Sequence, residues 1–276
     1  MGRAVIEELD LQERFPRSQN YSLDWIADGG MGSNPIWLTE WLTQKLELRP
    51  EMRVLDLGCG RAKTSIFLAR EFGVEVWATD LWVPSTENWA RIKQEKLEKR
   101  VFPLHSDARS LPFAGEFFDA IVAIDCYPYF GTDDLYLNYL IHFLKPGGQI
   151  GIAGAGLIQE MPTPVPEHLR SFWTQDLWAI HSVDWWRRHW ERTGLVDIEA
   201  ADTMVDGWRL WSAWHHFIAP FNHGEIEAIE TDAGRHMGYI RLTGRRRPDM
   251  ELATYAWPDN LKAMLQDQKP IVEQQN

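Results

Sequence analysis

Short runs of continuous apolar character recur along the first 155 residues, with helical spacing between them. "RVLDLG" (53–58), "VEVWATD" (74–80), "RVFPLHSD" (100–107), "FDAIVAID" (118–125) and "GQIGIAG" (148–154) read as strands buried on both faces. Helical composition fills 61–72, 85–99 and 132–144. Upstream, "PIWLTEWLTQKLEL" (35–48) puts Trp37, Leu38, Trp41, Leu42 and Leu46 on one helical face, with Asn34 before Pro35 as the start signal. Alternating strands and helices predict an α/β fold: a doubly wound parallel sheet with helices on both faces. "LKPGG" (144–148) predicts a helix stop and a turn into the fifth strand.

The pattern changes after the proline-rich "EMPTPVPEH" (160–168). "VDIEAAD" (196–202) and "HMGYIRLTG" (236–244) predict two last strands separated by a helical insertion. Eight of the fifteen tryptophans fall between 173 and 214, six of them on two predicted helices. On 181–194, capped by Ser182 and stopped at Gly194, Trp186 and Trp190 share a face, as do Trp185 and His189. On 206–216, Trp208, Trp211 and His215 line up. These helices read either as a pair covering the sheet or as an aromatic cage for a planar or cationic ligand. The expected organisation is a flexible N-terminus (1–20), a lid and helix segment (21–49), a ligand-binding core (50–157), a sheet-completing part with the tryptophan-rich insertion (158–245) and a C-terminal tail (246–276).

Composition narrows the function. The formal net charge of −12 argues against a nucleic-acid partner, which needs a basic footprint. No run is long and apolar enough to span a membrane, and the charged N-terminus is not a signal peptide. Two cysteines without metal spacing read as free thiols in a reducing, cytoplasmic setting. Nine histidines show no ligand spacing, so no metal is expected. A homodimer stays open, since nothing in the sequence reports oligomeric state.

The chemistry concentrates at "VLDLGCGRAKTS" (54–65). Gly58 and Gly60 bare the backbone where a strand becomes a helix, which makes a ligand platform. The dinucleotide fingerprint wants a third glycine where Lys63 stands, and the P-loop pattern is absent. The stretch instead resembles the first motif of class I S-adenosylmethionine (AdoMet) methyltransferases. The resemblance continues over 50–155 through "VWATDLW", "SDARSLPF" (106–113), "FFDAIVAID" and "LKPGG". It implies a Rossmann-like, seven-stranded, mostly parallel sheet with its last strand antiparallel, the cofactor S-adenosyl-L-methionine and a small-molecule methyl acceptor. An AdoMet-binding regulatory protein without catalysis, or a protein or RNA methyltransferase, are the alternatives. Against the latter stand the acidic charge and the "DCYPYF" (125–130) that replaces an asparagine-proline pair.

The resemblance also implies residue roles. Asp80, with Leu81 beside it, falls where the ribose hydroxyls are bound, and Asp107 with the Ala108 N–H where the adenine is held. Gly58, Cys59 and Gly60 lend backbone, Cys59 having no histidine neighbour to make it a nucleophile. Asp56 orients the loop or meets the cofactor's ammonium, Thr64 sits in the same turn, and a buried Asp56 needs a cationic partner. Asp125 stands at the methionine end, and Met31 with Gly32 come from a lid rich in glycine. An ordinary cap or loop acid is the plain alternative for Asp80 and Asp107. On the acceptor side Tyr129 is the expected catalytic hydroxyl, with Tyr127 beside it. Cyclopropane fatty acid synthases resemble this loop but carry Glu-His where Pro128-Tyr129 stand, so their chemistry is not implied. His181 is the expected base, ranked above His215 and His216.

Overall fold

The computed structural model describes residues 2–219, 222–250 and 252. Seven strands form one sheet: β1 Arg53–Leu57, β2 Glu75–Asp80, β3 Val101–His105, β4 Phe118–Ile124, β5 Leu144–Leu157, β6 Val196–Thr203 and β7 Met237–Arg246. Their order is β3-β2-β1-β4-β5-β7-β6, and β7 runs antiparallel to both of its neighbours. The order reverses between β1 and β4, which opens a crevice at the carboxyl ends of those strands, where ligands bind in open α/β sheets.

The helices are α1 Gly2–Glu7, α2 Leu11–Arg14, α3 Leu23–Ala27, α4 Pro35–Thr43, α5 Lys63–Phe72, α6 Ser85–Gln94, α7 Pro128–Gly131, α8 Tyr136–Ile141, α9 Val183–Glu191, α10 Gly207–Ile218 and α11 His223–Asp232. Two cores flank the sheet. Val54, Val76, Ala120 and Val122 meet Leu42 of α4, Phe67 of α5 and Trp214 of α10 on one face. Leu55, Ile121 and Ile150 meet Leu140 of α8 and Trp190 of α9 on the other. Such burial of alternate strand positions on opposite faces follows from the two-residue period of the pleat.

Helix boundaries depart from expectation for identifiable reasons. The helix expected over 85–99 ends at Gln94, because Lys96 turns to a φ of 57°. The helix expected over 132–144 shrinks to α8, Tyr136–Ile141, and α7 is a separate turn before it at Pro128–Gly131. The ladder between β4 and β5 jumps from Phe118↔Leu144 to Ala120↔Gln149. Pro146 has no N–H to donate and Gly147 takes a φ of 75°, so "KPGG" loops out of a strand that starts before it.

The N-terminal segment, expected to be flexible over 1–20, is instead folded. Ile6, Leu11 and Phe15 are buried, and the Phe15 ring stacks on Trp37 of α4 at 6.2 Å. Buried Glu40 of α4 accepts from the backbone N–H groups of Arg17 and Ser18 at 2.8 and 2.7 Å. Those contacts cross from residue 20 or earlier to α4 and α10, so local composition carries no sign of them. The tail expected over 246–276 lies outside the described residues from 253 onward.

Candidate active site

A cleft of about 400 Å³ opens at the ends of β1, β2 and β4. Its floor is the turn after β1. The Gly58 and Cys59 N–H groups both donate to the Thr79 carbonyl at 2.9 Å, and the Gly60 N–H donates to Asp80 Oδ2 at 2.8 Å. Gly58 has a φ of 71°, and a Cβ there would stand 2.6 Å from Cys126 Sγ, so both the turn and the tight approach require glycine. Asp80 Oδ1 accepts from the N–H groups of Trp82 and Val83 at 2.8 Å each. The plain cap role and the cleft position therefore coexist in one carboxylate. Asp107 uses Oδ1 on the Arg109 N–H at 2.8 Å. Its Oδ2 and the Ala108 N–H have no partner among the described residues.

Asp56 is fully buried and does not line the cleft. Burial pushes its carboxyl up to about 6, against the hydroxyls of Ser65 and Thr64 that hold its charged form. The expected cationic partner is not there among the described residues: two hydroxyls on the first turn of α5 take its place, and Oδ1 has no partner. Thr64 is thereby committed to Asp56 while still bordering the cleft. Cys59 is buried, and burial raises its thiol well above the usual range. That leaves the backbone as its contribution.

The glycine-rich stretch 29–32 forms the cleft's upper wall with Met31. It is fastened at two points: the Trp214 Nε1 of α10 donates to the Gly32 carbonyl at 3.1 Å, and the Ser33 N–H donates to Asp125 Oδ2 at 3.0 Å. Asp125 Oδ1 accepts from the Ala155 N–H at 2.8 Å, so one carboxylate ties this wall to β5. Lys63, where a dinucleotide site wants glycine, donates its Nζ to the Trp25 carbonyl at 2.6 Å and supports α3.

A second cavity of about 180 Å³ adjoins the first. Gly32, Ser33, Asp125 and Tyr129 border both. Its remaining lining combines Phe172, Leu177, Ile180 and Trp211 with His215 and Glu225. Tyr129 stands at the junction, 56% exposed, with its ring 6.4 Å from that of Trp82. Tyr127 does not: it is buried between the rings of Trp186 and Trp190 at 5.4 and 5.7 Å. The helix-packing reading thus holds for Trp186 and Trp190, and Trp211 alone of that set reaches the second cavity.

The expected base, His181, is elsewhere. It borders neither cavity, its Nδ1 lies 3.0 Å from Glu160 Oε2, and its ring stacks on Trp185 at 3.9 Å. Its carbonyl accepts from the Leu157 N–H, which fixes the chain beside the end of β5 and turns the ring away. His215, ranked lower from sequence, is the histidine in the second cavity. Burial pulls its pKa below the usual imidazole value, with Glu225 and then Asp125 opposing. Sequence reasoning also missed Trp82, 72% exposed at the cleft mouth, and Arg61 and Arg109 in the cleft wall. A bulky aromatic two residues after the strand-ending acid was the available signal. Met31, Leu81, Trp82 and Tyr129 together make an exposed apolar rim, a mark of a surface that something covers.

Away from the cleft, His168, Asp232 and His236 form a group with metal-ligand chemistry, their ligand atoms within 4.8 Å. Asp232 Oδ1 meets both imidazoles at 3.0 and 2.8 Å, and Oδ2 accepts from two backbone N–H groups at 2.8 and 2.9 Å. The carboxylate is saturated, and the knot joins α11 to β7.

Residues 54–148 match the family model described as a methyltransferase domain. The methyltransferase GfsG of Streptomyces halstedii is 30% identical over 185 residues, covering 66% of this chain and 64% of that protein. Geranyl diphosphate C-methyltransferase from Streptomyces coelicolor A3(2) superposes with a TM-score of 0.63 at 18% identity, covering 89% of this chain and 83% of that one. The [4+2]-cyclase SpnF superposes with a TM-score of 0.59 at 20% identity, covering 80% and 85%. The chain spans under two thirds of the length of the first curated relatives it matches, 64% and 57%. The sheet order and crevice are those of a Rossmann-like α/β fold, and the match over 54–148 places a methyltransferase domain on the strands that frame the cleft.

Proposed function

We propose that the protein transfers a methyl group from AdoMet to a small molecule held in the second cavity. One observation carries this reading: a nucleoside-sized cleft and a smaller, mostly apolar cavity meet at Tyr129 and Asp125. A donor and an acceptor site sharing a wall is what an in-line displacement needs, because alignment and exclusion of water supply most of the acceleration.

The residues fit AdoMet. The free Asp107 Oδ2 and Ala108 N–H offer one acceptor and one donor to the adenine edge. Asp80 offers its remaining lone-pair capacity to the ribose, beside Leu81 and Trp82. Gly58 and Gly60 leave room for the methionyl part, with Met31, Gly32 and Asp125 across from them. When bound, AdoMet supplies an electrophilic methyl on a sulfonium. Tyr129 orients the acceptor from the junction. His181 has no part in the reaction, since its ring is held by Glu160 and Trp185.

The acceptor cavity is too small for a folded protein or an RNA duplex, and no Arg or Lys borders it. A phosphate-bearing acceptor, as in the name of the geranyl diphosphate relative, is therefore not carried over. The two free thiols suit a reducing compartment, and a cytoplasmic location is part of this proposal. Among the described residues no helix is long and apolar enough to cross a membrane.

Calorimetry with AdoMet and S-adenosylhomocysteine tests the donor site, and isotope transfer from methyl-labelled AdoMet to a metabolite mixture tests the reaction. Binding with transfer is expected. Binding without transfer to any acceptor points to the regulatory alternative, and stabilisation by NAD instead of AdoMet removes the reading.

A further inference from the structure

Asp232, at the end of α11, sits where a carboxylate is costly. Its side chain is fully buried, and no Lys or Arg side chain pairs with it among the described residues. Its ion-pair partners there are two imidazoles: His168 Nε2 and His236 Nδ1 lie 3.0 and 2.8 Å from Oδ1. A buried carboxylate needs a cation, and an imidazole is one only when protonated.

The two oxygens have different surroundings. Oδ2 accepts from the His236 and Met237 backbone N–H groups at 2.8 and 2.9 Å, which pins the carboxylate and turns Oδ1 toward the two rings. Metal-binding carboxylates are held in this way, by hydrogen bonds that fix their orientation. The ring centroids are 6.1 Å apart, and the three ligand atoms lie within 4.8 Å of one another. Ligand atoms on a tetrahedral zinc stand about 3.3 Å apart, with bonds of about 2.0–2.1 Å. Rotation of the two partly exposed rings brings the three atoms to that spacing. The hydrogen bonds to Oδ1 are no bar, because each ring can carry its proton on the other nitrogen and turn the lone pair inward. Those other nitrogens, His168 Nδ1 and His236 Nε2, have no partner among the described residues and reach solvent.

We propose that His168, Asp232 and His236 bind a divalent transition-metal ion of the zinc class, with water completing its shell, and that the ion clamps the segment after residue 160 to α11 and β7. Two imidazoles and one carboxylate oxygen suit Zn2+ rather than Mg2+ or Ca2+, which take oxygen ligands. The ion's charge answers the buried carboxylate. Its position gives the clamp an object. His168 precedes buried Leu169, whose carbonyl accepts from the Phe172 and Trp173 N–H groups at 3.0 and 2.7 Å. Phe172, Leu177 and Ile180 on that segment line the second cavity, and α11 brings Glu225 to it. The three ligands do not border the cavity, so the ion fixes two of its walls from outside and takes no part in methyl transfer. Sequence spacing carried no sign of the site, because His168 and Asp232 are 64 residues apart.

The test uses the full chain, stripped with a chelator, separated from it and titrated with Zn2+ alone. Calorimetry is expected to show one ion per chain, and the melting temperature to rise with Zn2+. Mg2+ is expected to do neither. Co2+ in its place is expected to give the visible absorption of a four- or five-coordinate ion. His168→Gln and His236→Gln are each expected to weaken Zn2+ binding at least about a hundredfold, since even the partners of metal ligands are worth about 10–100-fold. Amide exchange at Phe172 and Trp173 is expected to slow on Zn2+ loading in the wild type and not in the variants. Failure of the wild type to bind Zn2+ overturns the proposal, as does unchanged binding in either variant, which would put the ion elsewhere. Binding without slower exchange at Phe172 and Trp173 overturns the clamp. If His236→Gln fails to fold, His168→Gln, on the more exposed ring, and the cobalt spectrum still decide. AdoMet binding is a separate measurement and bears only on the methyltransferase reading.

Discussion

Asp56 and Asp80 belong to adjacent strands under one turn, yet they answer to different physics. Asp56, buried and paired only with hydroxyls, has a carboxyl raised from 3.8 to about 6. An acid whose folded pKa exceeds its unfolded one binds its proton more tightly in the native state. Its contribution therefore falls as pH rises from about 4 to about 6, by about 3 kcal/mol, and stays low above that. Relative to Asp56→Asn, the wild type is expected to lose stability across that window in urea titrations. Parallel pH profiles would remove the argument. Asp80 instead is fixed by three backbone N–H groups. Asp80→Asn sets an NH2 against the Gly60 N–H or a ribose hydroxyl and is expected to weaken AdoMet binding by about 1.5–3 kcal/mol in calorimetry. Tyr129→Phe is expected to slow single-turnover transfer while AdoMet affinity holds. Loss of that affinity would assign Tyr129 to the donor side. Asp80 was legible as a cleft residue because it ends a strand that the apolar run marks, whereas the hydroxyl partners of Asp56 in place of a cation were not. That His215 rather than His181 borders the second cavity was not legible, since it depends on which way a distant helix turns its side chains.

The strands were equally legible, because burial on both faces writes continuous apolar runs. Helix ends were less so: Lys96 and "KPGG" act through backbone conformations that composition does not announce. The glycine-rich wall over 29–32 shows the same limit. Its glycines were visible, but its fastening was not, because Trp214 and Asp125 come from elements 182 and 92 residues away along the chain. Gly32 has a φ of 81°, and a Cβ there would stand 2.8 Å from Asp125 Oδ2. Gly32→Ala is expected to loosen the Ser33–Asp125 link and weaken S-adenosylhomocysteine binding by about tenfold, on the scale of about 1–3 kcal/mol for a strained backbone. A melting temperature a few degrees below that of the wild type should accompany it, because the folded chain bears the strain. Unchanged affinity would mean that this wall does not touch the ligand.

At the scale of the molecule, the N-terminal segment behaves as part of the core. Phe15 is 1% exposed against α4. Phe15→Ala is expected to cost about 3–5 kcal/mol in chemical denaturation, the range for emptying a buried aromatic site. A cost below about 1 kcal/mol would restore the flexible-terminus view. The sheet's order has its own consequence for synthesis. β7 is the last of the described strands to be made, yet it inserts between β5 and β6. Its arrival is also what gives β6 a neighbour, since among the described residues β6 pairs with β7 alone. As the chain leaves the ribosome, β1 to β5 and the donor cleft can assemble while β6 waits as an open edge. A chain stalled before residue 237 would hold the strands that frame the AdoMet cleft. It would lack Tyr239, whose ring stacks on Trp211 beside the second cavity, so the two cavities would be completed in a fixed order.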